Sequence, residues 1–351
     1  MTHSRILTGT VVALAAATAW APVANADPVA DFFKDKQISV RVGYGAGGGY
    51  DTTTRIVARY FGKHIPGNPT IVVQNMPGGG SMRVANYLYN AAPKNGLLLG
   101  VFSSAIATQP LFGNEKAKFD ADKFAWIGSM HSDIQACGVW KGAGQGIRTL
   151  YDMIKAKKTV IFGSTSPASP TSTFPMFLKN ILGVKIKVIQ GYKGTKGINL
   201  AMQRGEVQGT CGMYESSVKG AFLRHVESGN LKLFMQVGID RTVPFFGDAT
   251  QITKLLKTDE ERQIAEVIFR PAEITRPLAA PPGTPKARVA ALRKALYATM
   301  TAPDLLKAGK KIRVDFKPMT GKRVAQLIGG FADLPKAIVK KAYIKTLDKK
   351  N

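Results

Sequence analysis

From Gln37 onward the apolar positions switch repeatedly between two periods. "ISVRVGY" alternates apolar and polar side chains and predicts a strand. "DTTTRIVARYFGKHI" sets Ile56, Val57, Tyr60 and Phe61 on one helical face. "TIVVQN" is the next strand, "PGGGS" a glycine-rich turn, "MRVANYLYNAA" a helix and "LLLGVFSS" a third strand. Such alternation predicts a parallel sheet covered by helices on both faces. The pattern restarts after "FAWIGSM". Helix "TLYDMIKA", strand "TVIFGST", helix "FPMFLKNILG", strand "KIKVIQGY", helix "INLAMQRG", strand "EVQGTCG", a helix around "SSVKGAFLRHV" and strand "LKLFMQVG" make a second α/β unit. Beyond it, "RPLAAPPGTP" reads as a proline-rich connector. "PKARVAALRKALYATM" reads as a helix capped by Thr284, with Pro285 at its first position.

The N-terminus adds a compartment. Arg5, the apolar run "ILTGTVVALAAATAW" and "ANAD" form the three regions of a secretory signal peptide, predicted to be cut after Ala26. No cysteine follows the cut, which argues against a lipid anchor. The remaining length suffices for two domains with cores of their own.

Charge changes the picture less than its size suggests. The formal net charge is +26, and loss of Arg5 with the leader lowers it by one. The basic residues are scattered except in the tail "PKAIVKKAYIKTLDKKN", with no aromatic-interleaved basic motif. The reading is therefore of an attraction for anionic solutes, with no nucleic-acid partner. Cys137 and Cys211 are the only cysteines, and His64, His131 and His225 the only histidines after the leader. That set gives no four-ligand metal site, and no cofactor is indicated. In an oxidising compartment the pair reads as one disulfide; two buried free thiols are the other reading.

The most suggestive chemistry lies in "VGYGAGGGYD", where a strand runs through a glycine-rich turn into a helix. Gly43, Gly45 and Gly48 match the dinucleotide spacing G-x-G-x-x-G, but that fold needs an acidic residue after the next strand. No Asp or Glu occurs from Thr52 to Asn114. No phosphate-loop sequence occurs either. What survives is physical: glycines let backbone N–H groups approach a ligand closely, and the helix start near Asp51 adds free N–H groups and a positive dipole end. Such a site suits a carboxylate as well as a phosphate. A turn whose glycines serve only packing has the same composition. Three further loops would stand at the carboxyl ends of strands: Ser103 and Ser104, then Ser164, Thr165 and Ser166, then Tyr192 and Thr195 with Lys193 and Lys196. Taken singly, each hydroxyl reads first as a helix cap or a loop donor; the signal is that together they converge from two domains.

"YGAGGGYD", "IVVQNMPGGGS", "YNAAPKNGLLLG", "GYKGTKGINLAMQRGEVQG" and "APPGTPKARVAALRKAL" resemble, in order, the Bug-type periplasmic solute-binding proteins of tripartite tricarboxylate transporters. The resemblance implies an α/β, two-lobed Venus-flytrap receptor, each lobe a sheet covered by helices. Lobe 1 would be residues 27–130 with 238–351, and lobe 2 residues 131–237, hinged at "FAWIGSM" and "LKLFMQVG". It also implies a small organic carboxylate as ligand, integral-membrane permease subunits as partners, a monomer, a periplasmic location and no enzymatic activity. By resemblance the turn of Ala46, Gly47, Gly48, Tyr50 and Asp51 and the loop Ser164, Thr165 and Ser166 pinch the carboxylate, with Ser103 or Ser104 nearby. The chain departs from the family's small residue at Tyr50, which would narrow or stack within the pocket. It departs again at "TCGMYESS", where members often carry an aspartate. A secreted α/β enzyme acting on a small carboxylate, or a receptor for sensing alone, are the alternatives. No G-x-S-x-G or H-E-x-x-H supports the first.

Overall fold

The computed structural model describes residues 27–347 except 144, 145, 239–241, 312, 313 and 315. The signal peptide lies outside the described residues. Among the described residues, twelve strands form two six-stranded sheets. In chain order they are β1 (Gln37–Val42), β2 (Thr70–Asn75), β3 (Leu98–Val101), β4 (Ala125–His131), β5 (Gln135–Trp140), β6 (Val160–Gly163), β7 (Ile186–Ile189), β8 (Gly209–Tyr214), β9 (Leu231–Val237), β10 (Thr250–Gln251), β11 (Thr275–Ala280) and β12 (Met319–Thr320). The first sheet runs β12-β4-β11-β3-β1-β2 and the second β10-β9-β5-β8-β6-β7.

Both sheets are mixed, where alternation alone predicts parallel ones. β11 runs antiparallel to β3 and β4, and β5 antiparallel to β8 and β9. The physical reason is shared: β5 and β11 are the strands by which the chain enters each sheet from the other. β4 ends in the first sheet and β5 begins in the second after a three-residue link, Ser132 to Ile134. β11 makes the return crossing. It occupies the "proline-rich connector", and all six of its residues are buried. Its Pro277 had removed it from the sequence-based list of strands.

The sheet is covered on both sides in each lobe. Phe33, Val57, Phe61, Leu292 and Leu296 pack on one face of the first sheet; Val84, Leu88, Phe102, Trp126 and Val324 pack on the other. On the second sheet Phe162, Phe174, Phe177 and Phe269 face Ile198, Met202, Phe222 and Leu233 across the strands. The segment after β9 stays with the second sheet: β10 pairs with β9, and helix Asp259–Phe269 packs into its core. The C-terminal helix Lys336–Thr346 returns there as well, placing Val339 and Ala342 in the same cluster. The second crossing thus lies just before β11, about residues 270–274, rather than after "LKLFMQVG".

Two local expectations come out differently. Helix Pro170–Leu182 begins four residues before Phe174, because Pro170 suits a first helical position and the preceding Ser169 has extended backbone. Thr284 does not cap helix Lys286–Thr301; its hydroxyl donates instead to the Pro281 carbonyl at 2.8 Å. The cysteines resolve to a single bond. Cys137 of β5 is joined to Cys211 of β8 across a register shift between these antiparallel strands.

Candidate functional site

The first glycine-rich turn ends at helix Gly49–Phe61, whose first N–H groups (Gly49, Tyr50 and Asp51) have no acceptor within the helix. Only Gly47 there requires glycine's left-handed backbone, at φ +77°. Gly48 and Gly49 serve by lacking a side chain: a Cβ on Gly49 would lie 2.4 Å from Ser217 Oγ and 2.9 Å from Arg276 Nη2. The turn meets the second lobe directly. The Gly45 N–H donates to the Lys193 carbonyl at 2.8 Å, and Gly48 lies beside Thr195.

A partly open cavity of about 30 Å³, room for little more than a water while the lobes stand this close, lies between them at this point. Gly48, Gly49, Tyr50, Tyr44 and Ser103 line it from the first lobe; Thr165, Ser169, Pro170, Thr171 and Thr195 line it from the second. Three helices begin at this cavity, Gly49–Phe61, Pro170–Leu182 and Thr195–Gln203. Their positive dipole ends and free N–H groups make a field that favours an anion. Gly212, at φ +72°, lets β8 approach closely: a Cβ there would be 3.1 Å from the Thr171 nitrogen.

Three tyrosines form one wall. The Tyr44 and Tyr50 rings are 4.4 Å apart, and the Tyr50 and Tyr214 hydroxyls are 3.3 Å apart. Tyr50 thus packs its ring, tilted, against Tyr44 in the cavity lining. Burial raises all three phenol pKa values, that of Tyr214 to about 12, so each stays protonated at neutral pH.

Behind this wall lies Arg276 of β11, 1% exposed and at φ +57°. Its Nε donates to the Gly49 carbonyl at 3.1 Å, Nη1 to Ser216 at 2.7 Å and Nη2 to Ser217 at 3.0 Å. Its guanidinium also lies 5.4 Å from the Tyr214 ring centre. The side chain ties the first turn to the Ser216–Ser217 helix start, and so ties lobe to lobe. Burial lowers its pKa, opposed chiefly by the charge of Asp133. Burial likewise raises the Asp133 pKa, opposed by Arg276 and by hydrogen bonds from Ser216. Arg276 has no motif around it; the only signal is a charged residue inside the apolar stretch "ITRPLAA".

The sequence-based residues divide by position. Gly48, Tyr50, Ser103, Thr165 and Thr195 line the cavity. Ala46 and Gly47 are exposed on the outer side of the turn. Asp51 is buried and acts as a clamp, accepting from the Gly47 N–H, Arg55 and Asn75, each at 2.8 Å. Ser104 donates to the Pro271 carbonyl. Ser164 holds the Ser166 carbonyl and Thr171, while Ser166 lines a separate groove beside Gly79 and Gln109. Tyr192 lies outside the cavity near Glu206, and burial with that carboxylate's charge raises its pKa. The composition of the loops did not show Gln135, Ser169, Thr171, Tyr214 and Ser217, all of which line the cavity.

A two-lobed α/β fold with an interlobe cavity at converging helix starts defines a periplasmic-binding-protein architecture. Residues 54–344 match the Tripartite tricarboxylate transporter family receptor, and the chain belongs to that family. Its fold is similar to that of the periplasmic binding protein BugD (18% identity, TM-score 0.67, 87% of this chain and 98% of that one). It is similar also to R. palustris Rpa4515 solved with adipate (17%, TM-score 0.68, 88% and 97%). A third likeness is to MatC from Rhodopseudomonas palustris with bound malate (17%, TM-score 0.65, 87% and 99%). No curated protein matches the chain in sequence.

Proposed function

We propose that this protein is an exported, monomeric receptor that captures a small organic carboxylate between its lobes and delivers it to permease subunits in the membrane. The observation that carries this reading is the convergence of three helix N-termini from both lobes on one interlobe cavity. Among the described residues its lining holds no Asp or Glu. The adipate and malate in the two R. palustris structures support a carboxylate. Family membership and the signal peptide support a periplasmic location and a transport partner.

In this reading the carboxylate accepts hydrogen bonds from the N–H groups at Gly49 and Tyr50 and at Thr171, with Ser103, Thr165 and Thr195 around it. Ala46, Gly47, Asp51 and Ser164 shape the loops, and Ser104, Ser166 and Tyr192 stand behind them. The lobes are residues 27–131 with 275–329, and 135–274 with 336–347, so that the ligand closes them about the two crossings. The protein binds without turning over: among the described residues the cavity lining holds no Cys, and no His, Lys, Asp or Glu to act as base to a hydroxyl. Thermal unfolding against a panel of mono-, di- and tricarboxylates, with each compound followed by mass spectrometry, tests both parts. Stabilisation without conversion is expected. Conversion of a stabilising compound would make the protein an enzyme, and no stabilisation by any carboxylate would remove the reading.

A further inference from the structure

Gln135 is the first residue of β5, immediately after the chain crosses between lobes, and lies opposite Tyr214 in the register of β8. It is fully buried, and it lines the cavity. Neither its Nε2 nor its Oε1 meets a hydrogen-bonding group of the protein. The other buried polar groups of the wall are matched: Tyr50 with Tyr214, Tyr44 with the Gly80 carbonyl, Ser217 with Arg276. A buried amide left with both a donor and an acceptor open is costly, and folding alone gives no reason to keep it.

We infer that Gln135 is the specificity-determining residue of this receptor, reading an uncharged polar group at the far end of the bound carboxylate. This rests on the carboxylate reading above. The amide offers one donor and one acceptor side by side, which a carboxamide or hydroxyl matches in full. A second carboxylate would accept from Nε2 but meet Oε1 with a like partial charge. It would also find no cation in the lining, which among the described residues holds no Lys or Arg; Arg276 stands behind the tyrosine wall with its charge set against that of Asp133. An ammonium group would find no carboxylate in the lining. The ligand class is therefore a monoanionic acid with a neutral hydrogen-bonding end.

Calorimetric titration with matched pairs tests this: succinate against succinamate, and adipate against adipamate. The wild type is expected to bind the amido acid of a pair at least about tenfold more tightly than the diacid, since a buried hydrogen-bonding site rejects a partner it cannot match. Gln135→Leu should bring the ratio close to one by weakening the amido acid. Gln135→Glu, which keeps the shape and still accepts from a carboxamide, should widen it. Circular dichroism confirms folding of each. A wild-type preference for the diacid, or a ratio unmoved by Gln135→Leu, would overturn the assignment while leaving the carboxylate receptor intact. Failure of every carboxylate of either kind to bind the wild type would instead remove the underlying reading, and this inference with it.

Discussion

Two glycine-rich turns follow strands of the first sheet, and only one opens on the cavity. In "GAGGGYD" a single residue, Gly47, has positive φ, and the helix that follows begins with its N–H groups facing the cleft. In "PGGGS" four consecutive residues are left-handed or near it: Gly78, Gly79, Gly80 and Ser81 have φ of 149°, 57°, 64° and 84°. There the N–H groups of Ser81 and Arg83 are spent on the Gly78 carbonyl, and Ser81 Oγ accepts from the Ser103 N–H. The more contorted turn is the structural one. Glycine content marks a sharp bend; a ligand site needs, in addition, N–H groups without partners at the start of a helix. Compositional reading cannot tell the two apart.

The largest expected effect comes from the second sheet, across the cavity from the first turn. The Cys137–Cys211 bond joins β5 to β8, whose ends carry Gln135 and Tyr214, with 74 residues between the cysteines. Chain-entropy reasoning gives such a loop about 4 kcal/mol of stabilisation. Urea unfolding of the Cys137→Ala/Cys211→Ala double variant should show a loss of that order, and a loss under about 1 kcal/mol would show that the bond does little.

The turns themselves separate next. Gly49→Val puts a side chain onto Ser217 of the opposing lobe, and onto Arg276 behind the turn, so the lobes cannot close on the ligand. Affinity for the best carboxylate should fall by about 100-fold, close to 3 kcal/mol, with little change in melting temperature. Gly79→Ala, at φ +57° and against Met82 of its own lobe, should do the reverse. It should cost about 1–2 kcal/mol of stability and leave affinity in place. Calorimetry and thermal melts on both variants check the pair; a matching affinity loss in the two would erase the distinction.

A further effect is expected at alkaline pH, from the tyrosine wall that the first turn shares with β8. The Tyr214 pKa is raised from 10 in the unfolded chain to about 12 in the folded one. Its contribution is present in full below pH 10 and is lost as pH rises toward 12, by about 2–3 kcal/mol. Tyr44 and Tyr50 shift the same way. Stability measured from pH 8 to 12 should fall above 10, and Tyr214→Phe should flatten the fall. An unchanged slope in that variant would contradict the assignment.

The α/β class, the sheet-covering helices and the first turn were legible because their signals are local: period, glycine spacing and helix starts. The two antiparallel strands were not. β11 hides behind Pro277, and nothing in a strand's periodicity says that it arrives from another lobe. Helices Asp259–Phe269 and Lys336–Thr346 bring Ile264, Val267, Val339 and Ala342 to the second lobe's core, but apolar residues in a sequence do not name the core that they join. Of the site, the glycine and hydroxyl loops could be read. Arg276 and Gln135 could be seen only as polar residues inside the apolar stretches "ITRPLAA" and "DIQACGVW". Their role depends on which strands meet, and pairing across lobes leaves no mark on spacing.

The central claim is that a carboxylate is held between helix starts of the two lobes. The most direct measurement is a crystal structure of the protein with whichever carboxylate of the panel most raises its melting temperature. The account expects both oxygens of one carboxylate within hydrogen-bonding distance of the N–H groups at Gly49 or Tyr50 and at Thr171, beneath Tyr44 and Tyr50. A carboxylate seated instead in the groove of Gln109, Lys116 and Ser166, or touching one lobe alone, would contradict it.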